Sequence, residues 1–167
     1  MKTIIRVFFG LALSLQTAIA ANPTPFTFDV QGLILGGKYT DTQTRSKLGN
    51  NPIKMYTWDD GEVIGREYLY ANSNKFRFGG DQDVLTYFFL DDSRYSVFEG
   101  HLKVGDYLYQ KIGLLCGGLL VYEKSIGNKN LYHFYPSGKY RDEVYLSIIT
   151  YTSYPNMIKS MSAQLPN

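Results

Sequence analysis

The sequence predicts an α+β fold of two diverged repeats, each a short helix followed by an antiparallel β-meander. Together the repeats are expected to form a curved sheet with the helices packed on one face. Three observations predict it. Short alternating runs are separated by Asp, Asn, Gly and Ser clusters, which is how hairpin-connected strands read. Helical signal is confined to two glycine-bounded stretches. Gly37 to Gly49 spans 12 positions, Gly105 to Gly117 spans 12 as well, and strands follow each in the same order.

The elements follow in chain order. "MKTIIR" is a short basic region and "VFFGLALSLQTAIA" an apolar stretch ending in an A-x-A site, so residues 1–20 read as a signal peptide cleaved after Ala20. The apolar run falls short of the roughly 20 residues that a membrane span needs. The single cysteine, Cys116, lies far from it, so no lipid anchor and no internal disulfide framework are expected. The 17 basic residues fall to 15 once Lys2 and Arg6 leave with the leader, against 15 acidic ones. A neutral mature chain lacks the concentrated basic face that nucleic acid requires.

Residues 21–31 read as a lead-in with a short strand at Phe26 to Val30. The first repeat covers residues 32–99. Its helix starts after Thr40, a cap for the orphan N–H groups of the first turn, and Asp41 suits the positive helix end. Leu48 closes it, Gly49 fits the left-handed position beyond, and Pro52 prevents continuation. "IKMYTW", "REYLYA", "KFRFGG", "VLTYFFL" and "RYSVFE" are the strands of the meander, the last two forming its closing hairpin. The second repeat covers residues 101–164. Asp106 is its candidate cap, Leu108, Ile112 and Leu115 its helical stripe, and "LLVYEKS", "NLYHFYPSG", "EVYLSIITYT" and "MIKSMSA" its strands.

Chemistry-bearing motifs are few. Gly32, Gly37 and Lys38 fit G-x-x-x-x-G-K, but Tyr39 takes the slot where a phosphate-binding loop needs Ser or Thr for magnesium. His101 and His133 have no second ligand at metal spacing. The acidic pairs Asp59-Asp60, Asp81/Asp83 and Asp91-Asp92 sit where a meander turns. Cys116 ends an apolar stretch and reads as a small buried hydrophobe. No nucleophile elbow is present. No metal, cofactor or enzymatic activity is therefore expected.

What remains is aromatic. Tyr56, Trp58, Tyr68, Tyr70, Tyr132 and Tyr135 are the candidate partner-binding residues, because Tyr and Trp give large contact area at low entropic cost. The competing reading is that such residues fill the core of a sheet that must bury one face. Trp58, beside a turn, is the one expected at the surface.

The stretch "T-D-T-Q-T-R-S-K-L-G" and the helix–strand order resemble a family of small exported bacterial proteins. These are the BamE/SmpA-like domains of the outer-membrane assembly machinery and the β-lactamase-inhibitor proteins of the same fold. As in their motif, a Thr cap at Thr40 stands nine positions before the glycine of the Leu48-Gly49 pair, and Pro52 follows. The resemblance implies a tandem α+β unit whose aromatic sheet face grips a protein. The second copy lacks both the Thr cap and the proline. The function expected is that of an exported, non-enzymatic envelope protein of inhibitor or assembly-accessory type, in the periplasm or outside the cell. The alternative is a carbohydrate or small-ligand binder using the same face.

Overall fold

The structure, a computed structural model, describes residues 28–70, 73–79, 83–113, 115, 118–138, 144–153 and 156–166. The leader, Phe26, Asp81 and Cys116 lie outside the described residues.

The described chain is mostly β, and this overturns the α+β expectation. It contains twelve strands in two antiparallel sheets, of four and eight strands, and two short helices. The small sheet holds β1 (Asp29–Val30), β2 (Leu33–Ile34), β7 (Ser96–Val97) and β8 (Leu102–Lys103), in the order β2-β1-β7-β8. The large sheet holds β3 (Ile53–Asp59), β4 (Glu62–Leu69), β5 (Lys75–Gly79) and β6 (Val84–Leu90) in one half. Its other half is β9 (Leu119–Ile126), β10 (Lys129–Tyr135), β11 (Leu146–Tyr151) and β12 (Ile158–Gln164). The order is β3-β4-β5-β6-β12-β11-β10-β9, so the halves join through the antiparallel β6–β12 pair and leave β3 and β9 as edges.

The physical reason for the correction is that helical signal yields little helix. The first helix, α1 (Asp41–Leu48), has the complete local code. Thr40 Oγ1 accepts from the Gln43 amide, and the Gln43 side chain accepts from the Thr40 amide, which is a capping box. Gly49 terminates it at φ 106°, ψ 164°, outside the left-handed helical well but in territory that only glycine occupies freely. The second helix, α2 (Leu108–Ile112), has only five residues and no side-chain cap. The Asp106 carboxylate instead accepts from the Lys103 amide in the preceding turn. "RYSVFE" does not close a hairpin with "VLTYFFL" either. Its strand is two residues long and belongs to the small sheet, while β6 pairs with β12.

One core joins these parts. Phe76, Phe78, Phe88, Leu90, Phe134 and Ile148, from one face of the large sheet, share it with Leu48 of α1, Leu108 of α2, and Val30 and Val97 of the small sheet. Period-two alternation therefore divides the central strands of the large sheet into a covered face and an open one, whereas the edge strands β3 and β9 bury no residue. Arg66 is buried on the covered face. Its guanidinium lies over the Phe78 ring at 4.7 Å, donates to the Tyr39 carbonyl and pairs with Asp83. The small sheet is held by Asp29, whose buried carboxylate accepts from the amides of Gly32 at 2.9 Å and Glu99 at 2.8 Å.

Candidate functional site

Of the six aromatic residues singled out from sequence, the structure exposes two. Tyr56 and Trp58 lie on β3, an edge strand, with ring centroids 6.4 Å apart, and Trp58 is 62% exposed. Burial in β4 explains why. Glu62 to Ile64 are exposed and the alternation of buried residues starts only at Arg66, so the β3–β4 hairpin overhangs the core. A register shift between Thr57 and Trp58, and positive φ at Asp60 (44°) and Gly61 (85°), shape its tip. Ile53, Met55, Val63 and Ile64 are exposed on the same hairpin. Lys54 Nζ lies 4.9 Å from the Tyr56 ring and 3.4 Å from Asp41, which ties the strand to the start of α1.

The other four are buried, and the hydroxyls of Tyr68, Tyr70 and Tyr132 are hydrogen-bonded. Tyr68 of β4 and Tyr70, just beyond its end, are both buried in the core. The Tyr68 hydroxyl donates to the Asp41 carboxylate at the N-terminus of α1, and the Tyr70 hydroxyl donates to the Gly49 carbonyl at its C-terminus, 3.0 Å away. Tyr95 donates to the Leu48 carbonyl at 2.8 Å, so three tyrosines clamp one short helix. Tyr132 lies beneath Tyr109 and Tyr122, and Tyr135 packs on Tyr145 on the open face. The face on which Tyr68, Tyr70 and Tyr95 meet is here a helix seat.

Electrostatics support that assignment. The hydrogen bond from Tyr68, helped by Arg45 and Lys54 and opposed by burial, holds Asp41 below the usual carboxylate range. A depressed carboxylate stabilises the fold above its unfolded-state pKa and loses that stabilisation as pH falls through its folded-state value. Tyr68→Phe removes the largest cause, so the variant should lose less stability than wild type on acidification from pH 5 to pH 2. Urea unfolding followed across that range measures it; parallel curves would show that Asp41 is not tuned by Tyr68.

Sequence reasoning missed a second aromatic cluster at the opposite edge. Tyr107 and Tyr109 of the α2 region and Tyr122 of β9 are exposed, and the Tyr109 hydroxyl donates to that of Tyr132 at 3.3 Å. Burial, then that bond, pushes the Tyr132 phenol up to about 12. The available signal was aromatic spacing in "DYLYQ". On the open face, His133 Nδ1 lies 3.3 Å from Glu123 Oε1 and its ring stacks on Tyr145 at 4.2 Å. Burial pulls the His133 imidazole down, against the opposing carboxylate.

Among the described residues no cluster of His, Cys, Asp and Glu converges as metal ligands, and no helix is long and apolar enough to cross a membrane. Lys38 forms an isolated bridge to Val84, and the next cap is Thr40, so no helix starts at the lysine as a phosphate loop requires. Comparison of the chain with known protein families, with characterised proteins and with solved structures finds no match.

Proposed function

We propose that the chain is an exported, non-enzymatic protein that binds a protein partner through the overhanging β3–β4 hairpin, with Tyr56 and Trp58 as anchors. The observation that carries this reading is the concentration of Ile53, Met55, Tyr56, Trp58, Val63 and Ile64, all exposed, on one hairpin at a sheet edge. Exposed apolar side chains gathered on one element mark interaction sites, and aromatic anchors carry a large share of interface energy. The exposed aliphatic side chains of the hairpin favour protein over sugar as its partner, because a sugar offers hydroxyls that they cannot satisfy. Among the described residues β3 also leaves one backbone edge unpaired in the large sheet, which an extended partner segment can extend. Export rests on the leader sequence.

Trp58→Ala is expected to lower partner recovery from native envelope by about tenfold or more, the scale of a hot-spot truncation. Its thermal midpoint should match wild type, because the side chain is outside the core. Quantitative pull-down with Tyr122→Ala in parallel tests the reading. Equal recovery from wild type and Trp58→Ala would sink it, and loss with Tyr122→Ala alone would move the surface to the other edge.

A further inference from the structure

We propose that the open face of the large sheet carries a second site, a groove of about 350 Å³ across β6, β12 and β11 that takes a neutral, hydroxyl-rich ligand of one or two sugar rings. It is independent of the hairpin, which lies at the sheet edge. The groove arises from side-chain size. In β11 and β12 the alternation sends Leu146, Ile148, Met161 and Ala163 into the core and Ser147 and Ser162 to the open face. These serines are direct cross-strand partners, and Gln164 stands opposite Tyr87 one pair further on. Two small residues side by side in mid-sheet make a low floor, and Tyr87 and Tyr145 stand around it as walls, with Pro166 at the rim.

The chemistry of the lining selects the ligand. Among the described residues, every side chain lining the groove is uncharged. Two of the neighbouring charges have partners, Arg77 on Glu67 at 3.1 Å and His133 beside Glu123 at 3.3 Å. An ionic ligand would therefore lose hydration without gaining a counter-charge from the described lining. No hydrogen bond among the described residues engages the Ser147 or Ser162 hydroxyl. Each can both donate to and accept from a ligand hydroxyl. The ring walls offer apolar faces for C–H groups, so the groove pairs aromatic surface with hydroxyls, as polar-ligand pockets of this volume do. The walls are also held in place before binding. Tyr145 is stacked on His133 at 4.2 Å and against Tyr135 at 5.5 Å, and the Arg77 guanidinium lies 5.4 Å from the Tyr87 ring. Fixed rings lose little freedom on binding.

Calorimetric and saturation-transfer NMR titrations of the full chain with cellobiose, maltotriose and chitobiose test the site, with glucose 6-phosphate as the charged control. At least one neutral saccharide is expected to bind. Tyr145→Ala and Ser162→Ala should each weaken it by about tenfold, Ser162→Leu should abolish it by filling the floor, and Trp58→Ala should leave it unchanged. Thermal midpoints and near-ultraviolet circular dichroism establish that each variant is folded, and the two alanine variants decide the matter if Ser162→Leu is not. Absence of binding by all three saccharides, equal affinity in the alanine variants, or tighter binding of the phosphate would each overturn the proposal. Loss of partner capture in Trp58→Ala with saccharide binding intact would separate the two sites.

Discussion

Phe98→Ala is expected to lower the free energy of unfolding by about 3–5 kcal/mol, the cost of removing a buried phenylalanine ring from a packed core. Phe98 is fully buried and lies between Phe28 at 5.2 Å and Phe134 at 5.5 Å. It follows Val97 directly, so its ring is where the small sheet is fastened to the large one. The residue also sits at φ 54°, a left-handed conformation that costs a non-glycine residue about 1–2 kcal/mol. Comparison of the two magnitudes explains why phenylalanine stands there: the ring's burial outweighs the backbone strain. Alanine keeps the strain and loses the ring, whereas glycine loses the ring and relieves the strain. Phe98→Gly should therefore be less destabilised than Phe98→Ala, the reverse of the order in a helix or strand. Urea denaturation at constant m-value measures both. A loss below about 1 kcal/mol for Phe98→Ala would mean that the sheets are fastened elsewhere.

Gly118→Ala should destabilise by about 1–3 kcal/mol through overpacking. A Cβ built at Gly118 overlaps the Phe134 ring, which is buried and wedged edge-on against Phe98. The neighbour is a rigid ring in a dense core and cannot swing aside. At about 2–4 °C per kcal/mol for a chain of this size, the thermal midpoint falls measurably. Gly113→Ala is the control. Its Cβ meets nothing within 4 Å and its φ is −63°, so the substitution fits the backbone and limits the unfolded chain. It should be neutral or mildly stabilising. Equal midpoints for the two variants would mean that the core around Phe134 yields more readily than its packing implies.

The contrast between Phe98 and α1 shows what is readable locally. Thr40, Gln43 and Gly49 define α1 through bonds spanning at most four residues, so "TDTQTRSKLG" was legible as a capped helix ending at Leu48. "VLTYFFL" likewise became a strand over Val84–Leu90. Nothing local marks Phe98 as a fastening point, because its partners stand 36 and 70 positions away in sequence. The α+β expectation failed on the same ground. The small sheet is assembled from two-residue strands, too short to show alternation, and β1 meets β7 across more than 60 residues.

The aromatic residues show the same division. By itself the sequence determined that Tyr56 and Trp58 share one strand face and Tyr68 and Tyr70 another, since side chains alternate with period two. Antiparallel register puts Tyr56 opposite Arg66, on the same sheet face as Tyr68, and tertiary structure alone decided which part of that face is covered. α1 seats itself on Tyr68 and Tyr70, while the β3–β4 hairpin extends past the core and leaves Trp58 exposed. Ser147 and Ser162 were likewise two unremarked serines until antiparallel pairing set them side by side. The physical reason is one of range. Caps, turns and alternation are fixed by neighbours along the chain, whereas burial depends on which distant surface arrives to cover a face.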